Sequence, residues 1–337
     1  MRDYLDSSKA YLIAETAYTF EGDKNYLLEQ TKTLPKEVNA IKYHMLYNLD
    51  EYMVGEHSAY ELISSWLLSE RDWVETLTCA KGKNLDTLVL VDDKKSVEFC
   101  EKNYELIDAI EIHAACVNDI YLLEKAIGFA KKHNKVFVIG ISGFEIQELS
   151  DIVDYIREKK IKDVLLMYGF QNFPTKIDEI KLKKIPALKR MFEFAVGYAD
   201  HTVHSDPIKE HLINTALSLG ANIQEVHYVI KEGEERTDYI TGLDHKSLKR
   251  IKDNLEKTSK AIGKIDFRLN EGEKKYLSFR KVPVYTKSFK KGHILKKGDI
   301  VFKRIEKAKE QHRFGGENSY LGKKINCDVR VDSEIRL

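Results

Sequence analysis

Up to Gly263 the chain alternates short apolar runs with stretches of helical period. Runs at 11–15, 38–44, 86–91, 107–114, 135–141, 163–168, 194–198 and 222–227 are dense in Val, Ile, Leu, Phe and Tyr. Each stops at polar or turn-forming residues and reads as a strand. Between them, 23–33, 120–131, 145–159 and 245–262 carry helical periodicity, Asp119 standing as a cap for the second. The long stretch that ends at Ala80, with Trp66 and Trp73, has room for two helices. Two apolar runs joined by an amphipathic helix form a parallel, right-handed βαβ unit. Eight such alternations predict an α/β protein, a closed (β/α)₈ TIM barrel over residues 1–265. A doubly wound open sheet is the alternative.

Beyond the barrel the pattern changes. Residues 266–279 are charged and aperiodic and read as a linker. From 280 to 337 short β-like pieces are punctuated by Gly292 and Gly298, predicting a small, mostly β module. So few residues bury little surface, and packing on a partner would help such a module.

Composition narrows the function classes. A hydrophobic content of 43% supports a sizeable core, and 55 basic against 54 acidic residues leave a net charge of +1. That balance gives no electrostatic case for nucleic acid or an acidic membrane surface. Cys79, Cys100, Cys116 and Cys327 are too few and scattered for a disulfide or zinc framework, which points to a reducing compartment. The opening residues hold no long apolar segment, so neither a signal peptide nor a membrane span is expected, and the protein is expected in the cytoplasm.

Candidate chemistry concentrates between Glu193 and Val229. One apolar run there ends in Asp200-His201 and the next in His227. In a parallel barrel the C-terminal strand ends meet at one mouth, where two imidazoles with open positions between them suit a divalent metal. Each histidine, on its own, reads more simply as a satisfied polar residue at a strand end.

The sequence resembles the sialic acid synthases, the family of N-acetylneuraminate, legionaminic and pseudaminic acid synthases. Ile13-Ala14-Glu15 matches the family's I-A-E, Ile41-Lys42-Tyr43-His44 its V-K-F-Q, and Phe173-Pro174-Thr175 its Y-P-T. Ile185-Pro186-Ala187-Leu188-Lys189 is similar to I-P-x-L-K, and Gly197-Tyr198-Ala199-Asp200-His201-Thr202 to G-Y-S-D-H-T. Glu225-Val226-His227-Tyr228 matches E-K-H-F, and Asp244-His245-Lys246-Ser247 matches D-H-K-A-S. In the tail, Lys290-Lys291-Gly292, Val301-Phe302-Lys303-Arg304 and Leu321-Gly322-Lys323-Lys324 match KKG, VKRP and LGKK.

The resemblance implies a barrel joined to an antifreeze-like SAF domain and a metal-dependent condensation of phosphoenolpyruvate with an N-acetylated hexosamine. It implies His201 and His227 as ligands of a divalent ion such as Mn²⁺. Lys42 and Asp244 would contact the acceptor sugar, with Glu15 beside the reacting centre. Glu15 reads alternatively as a buried partner of Lys42, and Asp244 as a helix cap. The family forms a domain-swapped homodimer whose second domain lends an arginine to the neighbouring barrel, for which Arg313 is the nearest candidate here.

The departures gather at the family's phosphate-binding positions. Its lysine falls on Glu111 and its serines on Ala114, Gly140 and Ala199. Its asparagine falls on Gln171, which keeps a polar substrate-binding side chain, and a further polar position falls on Cys116. A phosphate dianion needs charge-assisted donors, and Glu111 brings a like charge. Three functions follow: an orthodox synthase with a rearranged phosphate site; a diverged metal-dependent lyase, aldolase or isomerase; or a non-catalytic sugar-binding paralogue. The second would use a donor such as pyruvate, with His113 or Glu111 handling the proton.

Overall fold

A computed structural model of the protein describes residues 9–306, 314 and 316–335. The chain divides into two compact units, Met1–Lys264 and Ile265–Leu337.

In the first unit eight parallel strands close into a barrel in chain order. They are β1 (Tyr11–Glu15), β2 (Ala40–Met45), β3 (Asp86–Val91) and β4 (Ala109–Ile112). Then follow β5 (Val136–Gly140), β6 (Val164–Tyr168), β7 (Ala195–Asp200) and β8 (Ile223–His227). Every predicted apolar run supplies one strand, with ends displaced by a residue or two. After each strand a helix returns the chain, from Lys24–Thr33 behind β1 to His245–Ile262 behind β8. Aspartates set several of these helix starts: Asp23, Asp93, Asp119 and Asp244 each accept backbone N–H bonds from the first turn. Such caps satisfy donors that have no partner inside the helix.

Both faces of the sheet are covered, which is why the strands read as apolar runs. Outward residues such as Ile41, Tyr43, Val89 and Val91 pack under the helices against Trp73, Leu77, Phe99 and Phe129. Inward residues such as Ile13, Ala40, Leu88, Val138 and Leu165 fill the barrel axis. The interior is therefore a packed plug with a site built above it.

The second unit carries the antiparallel pair β9 (Val282–Tyr285) and β10 (Ile300–Lys303), with isolated bridges such as Phe289 to Val329 and Ile294 to Lys324. Tyr285, Phe289, Leu295, Tyr320, Ile325 and Ile335 form its small core. The stretch expected as an aperiodic linker differs from that expectation, because Glu271–Leu277 is a helix. Asn270 and Glu273 make a capping box that starts it. Among the described residues no helix is long and apolar enough to cross a membrane.

Candidate active site

Side chains along a strand alternate faces, so each barrel strand contributes inward residues two apart, one above the other. At the C-terminal mouth this rule makes two layers. Lys42, Glu111 and Glu225 form a charged floor beside Gly140, Met167 and Ala199. Two positions further on, His44, His113, Ser142, His201 and His227 form the rim. Together with Glu15, Tyr18, Phe170 and Phe173 they line one cavity of about 340 Å³, a small-molecule volume.

Closure of the barrel builds the floor. Glu15 pairs in register with Lys42 on one side and with His227 on the other. The Lys42 ammonium lies 3.3 Å from Glu15, 3.1 Å from Glu111 and 2.9 Å from Glu225, and all four side chains are buried. Burial alone would neutralise Lys42, but the three carboxylates more than offset it and hold the ammonium well above its ordinary value. One cation cannot keep three dry carboxylates ionised. Burial holds Glu111 and Glu225 above their ordinary values. Burial acts the same way on Glu15, yet Lys42 and the imidazoles of His227 and His201 outweigh it and keep that carboxyl below its usual value.

Beside Glu15 stand the two histidines picked out by position. Their rings meet edge to face, centroids 4.8 Å apart. His201 Nδ1 lies 3.2 Å from the Ala199 carbonyl oxygen, and His227 Nδ1 lies 3.0 Å from Thr241 Oγ1. These outer contacts leave Nε2 of each ring for the mouth, the arrangement that second-shell partners impose on metal-binding histidines. Asp200 steadies the segment carrying His201, accepting from Lys209 Nζ at 2.7 Å and from the Thr202 amide at 3.0 Å. Burial, with the neighbouring His227 adding to it, drops His201 to about 3, so the ring stays neutral and free to ligate. Donor atoms of Glu15, His201 and His227 lie within 4.8 Å of one another. Two imidazoles and one carboxylate fit a divalent transition ion with positions left open.

An aromatic wall closes that side. Phe170 stands edge-on to His201 at 4.9 Å, and Phe173 lies 5.8 Å from His227. The strand end below them depends on glycine: Gly169 has φ +142°, and a Cβ there would meet the Ala199 carbonyl oxygen at 2.0 Å. Gly140 shows why one family hydroxyl has no place here, since a Cβ at that position would meet the Ala114 backbone nitrogen at 2.9 Å.

The remaining predicted residues are placed elsewhere. Asp244 caps the helix His245–Ile262, its carboxylate accepting from the Ser247 amide at 2.9 Å, and it does not line the cavity. Gln171 lies in the loop after β6, also outside the lining. Arg313 falls outside the described residues. Glu15 and Lys42 both line the cavity, and they are ion-pair partners of each other, the alternative reading of Glu15. Missed entirely was Asp92, whose Oδ2 lies 2.5 Å from His44 Nε2. The signal was available: Leu88, Leu90 and Asp92 are two apart, so Asp92 continues the inward face of β3.

The sequence model of the NeuB family matches residues 29–266. An uncharacterized protein of Methanocaldococcus jannaschii is 26% identical, over 96% of this chain and 91% of its own. The pseudaminic acid synthase of Campylobacter jejuni is 25% identical, over 97% of this chain and 96% of its own. A crystal structure of N-acetylneuraminic acid synthetase from Leptospira borgpetersenii superposes with a TM-score of 0.71 at 20% identity. It covers 81% of this chain and 92% of that one, a likeness of fold.

Proposed function

Because the chain belongs to the NeuB family, we propose that it makes or breaks a carbon–carbon bond at the carbonyl of a sugar-derived substrate, with a 2-oxo acid lacking phosphate as donor. Glu15, His201 and His227 would hold the divalent ion. Such an ion supplies Lewis acidity, polarising a carbonyl oxygen. Lys42 keeps Glu15 ionised, Asp200 orients the segment bearing His201, and Phe170 and Phe173 keep that side of the cavity dry.

The carrying observation is the floor. Lys42 is the one lysine or arginine among the described residues lining the cavity, and three carboxylates already surround it. Glu111 occupies the place where the family's lysine would meet phosphate. A dianionic phosphate entering this mouth would face carboxyl groups with no free charged donor.

Condensation of phosphoenolpyruvate with an N-acetylated hexosamine is the rival reading. It draws on the near full-length match to a protein named pseudaminic acid synthase. Calorimetric titration of manganese-loaded protein separates the two. Binding of pyruvate but not phosphoenolpyruvate is expected; tight, metal-dependent binding of phosphoenolpyruvate would restore the orthodox synthase. Failure to bind manganese at all would favour a non-catalytic sugar-binding protein.

The second unit reads as the family's antifreeze-like SAF module. Its support is the trio of lysine-rich tail motifs together with the small β core around Phe289 and Leu295. A homodimer is the assembly this reading entails, and light scattering on the purified chain tests it.

A further inference from the structure

Across the mouth from β7 and β8, the arc of β2, β3 and β4 carries a polar pair that metal binding does not use. His44 Nε2 meets Asp92 Oδ2 at 2.5 Å, and the Asp92 carboxylate is fully buried. Cys116 Sγ lies 3.4 Å from the other Asp92 oxygen. The Tyr18 ring stacks on the imidazole at 4.1 Å. Held on two sides, His44 turns Nε2 to the Asp92 carboxylate and lines the cavity, which leaves Nδ1 as the ring nitrogen for a substrate. A buried carboxylate that fixes the tautomer and orientation of an imidazole is the arrangement of an acid–base histidine.

The groups that sequence reasoning put forward for this task are less suited. Glu111 is tied to Lys42 at 3.1 Å. His113 has its Nδ1 turned to the Ala115 amide at 3.4 Å, and burial lowers its proton affinity.

The geometry points to His44 as the general base that takes a proton from the carbon beside the carbonyl of a small 2-oxo acid, with Asp92 as its positioning residue. This rests on the donor class proposed above. The C–H bond breaks and its electron pair becomes the carbon–carbon double bond of an enolate. The carbonyl π pair moves onto oxygen, and the proton goes to His44 Nδ1. The resulting imidazolium keeps its Nε2–H on Asp92 and can return the proton, or a solvent deuteron, to carbon.

The groups facing His44 are Asp92 just past β3, Glu111 on β4 with His113 just past it, Lys42 on its own strand, and Glu15 with Tyr18 from β1 and its loop; Cys116 stands behind Asp92. Burial opposes the charged ring, but Asp92 more than offsets it and raises the proton affinity of His44. Exchange therefore rises with pH as the ring loses its proton, and loss of the Asp92 charge moves that rise to lower pH.

The test uses manganese-loaded protein and pyruvate in D₂O, with deuterium uptake read by mass spectrometry and binding by calorimetry. Wild type is expected to exchange the methyl hydrogens. His44→Asn and His44→Ala are expected to bind pyruvate but exchange it roughly 100-fold more slowly or worse, with added imidazole restoring exchange to His44→Ala. Asp92→Asn is expected to slow exchange and shift the rise in rate to lower pH, which a purely structural role would not do. Thermal melts identify any variant that fails to fold. Wild-type exchange in a folded His44→Asn or His44→Gln protein, or pyruvate that binds to wild type without exchanging, would overturn the assignment. Pyruvate that does not bind even wild type would instead remove the donor class, and the assignment with it.

Discussion

Replacing Lys42 with Met keeps the length of the side chain and removes the one cation of the floor. Unit charges about 3 Å apart attract by roughly 5 kcal/mol at an effective dielectric of ~20. Lys42 has three carboxyl groups at 2.9–3.3 Å. Much of that attraction is offset by the cost of burying the ions, and removing one partner of a buried pair typically destabilises by about 3–5 kcal/mol. For a domain of this size the melting temperature should fall by roughly 10 °C at pH 7. The pH dependence should also steepen. In wild type Glu15 is held below its unfolded value, so its contribution is complete above the ordinary carboxylate range and is lost as pH falls through its folded value. Glu111 and Glu225 are already held above their unfolded values and lose stability as pH rises; without Lys42, Glu15 joins them and that loss is steeper. Calorimetric scans of both proteins at pH 5, 6.5 and 8 (~1.5-unit steps) separate the two slopes. A Lys42→Met protein that melts like wild type at the highest pH would refute the account of the floor.

Two other consequences can be checked with simple measurements. His201→Asn or His227→Asn should weaken manganese binding by about 10–100-fold or more while the melting temperature of the metal-free protein stays close to wild type; calorimetry reads the first and differential scanning the second. Gly169→Ala places a methyl 2.0 Å from the Ala199 carbonyl oxygen at a φ that side chains avoid. That variant should be strongly destabilised or insoluble, and a normal melt would show that the loop after β6 can shift freely.

The barrel was legible because its strands are buried on both faces and therefore stand out as apolar runs. The two histidines of the mouth were legible for the same reason, since His201 and His227 end two such runs. What local pattern could not supply was closure. Glu15, Lys42, Glu111 and Glu225 lie on β1, β2, β4 and β8, and only the β1–β8 pairing brings them round one ammonium. Asp92 was hidden by its neighbour. Asp92-Asp93 reads as a polar turn, yet Asp93 caps the next helix through the Ser96 amide while Asp92 turns inward to His44. Asp244 shows the opposite case, in which a motif marked a substrate contact while the side chain serves as a cap in this structure.

The stacking of the mouth into two tiers has an evolutionary consequence. Each strand delivers one residue to the lower tier and, two positions later, one to the upper, so a substitution in either leaves the backbone path and the other tier in place. Glu111 and Ala199 could therefore be exchanged one at a time beneath an undisturbed pair of histidines, whereas Gly140 is held by the Ala114 backbone beside it. A lineage can re-specify what such a barrel holds while keeping its two histidines, and a designer could recombine the lower tier as a cassette on the same scaffold.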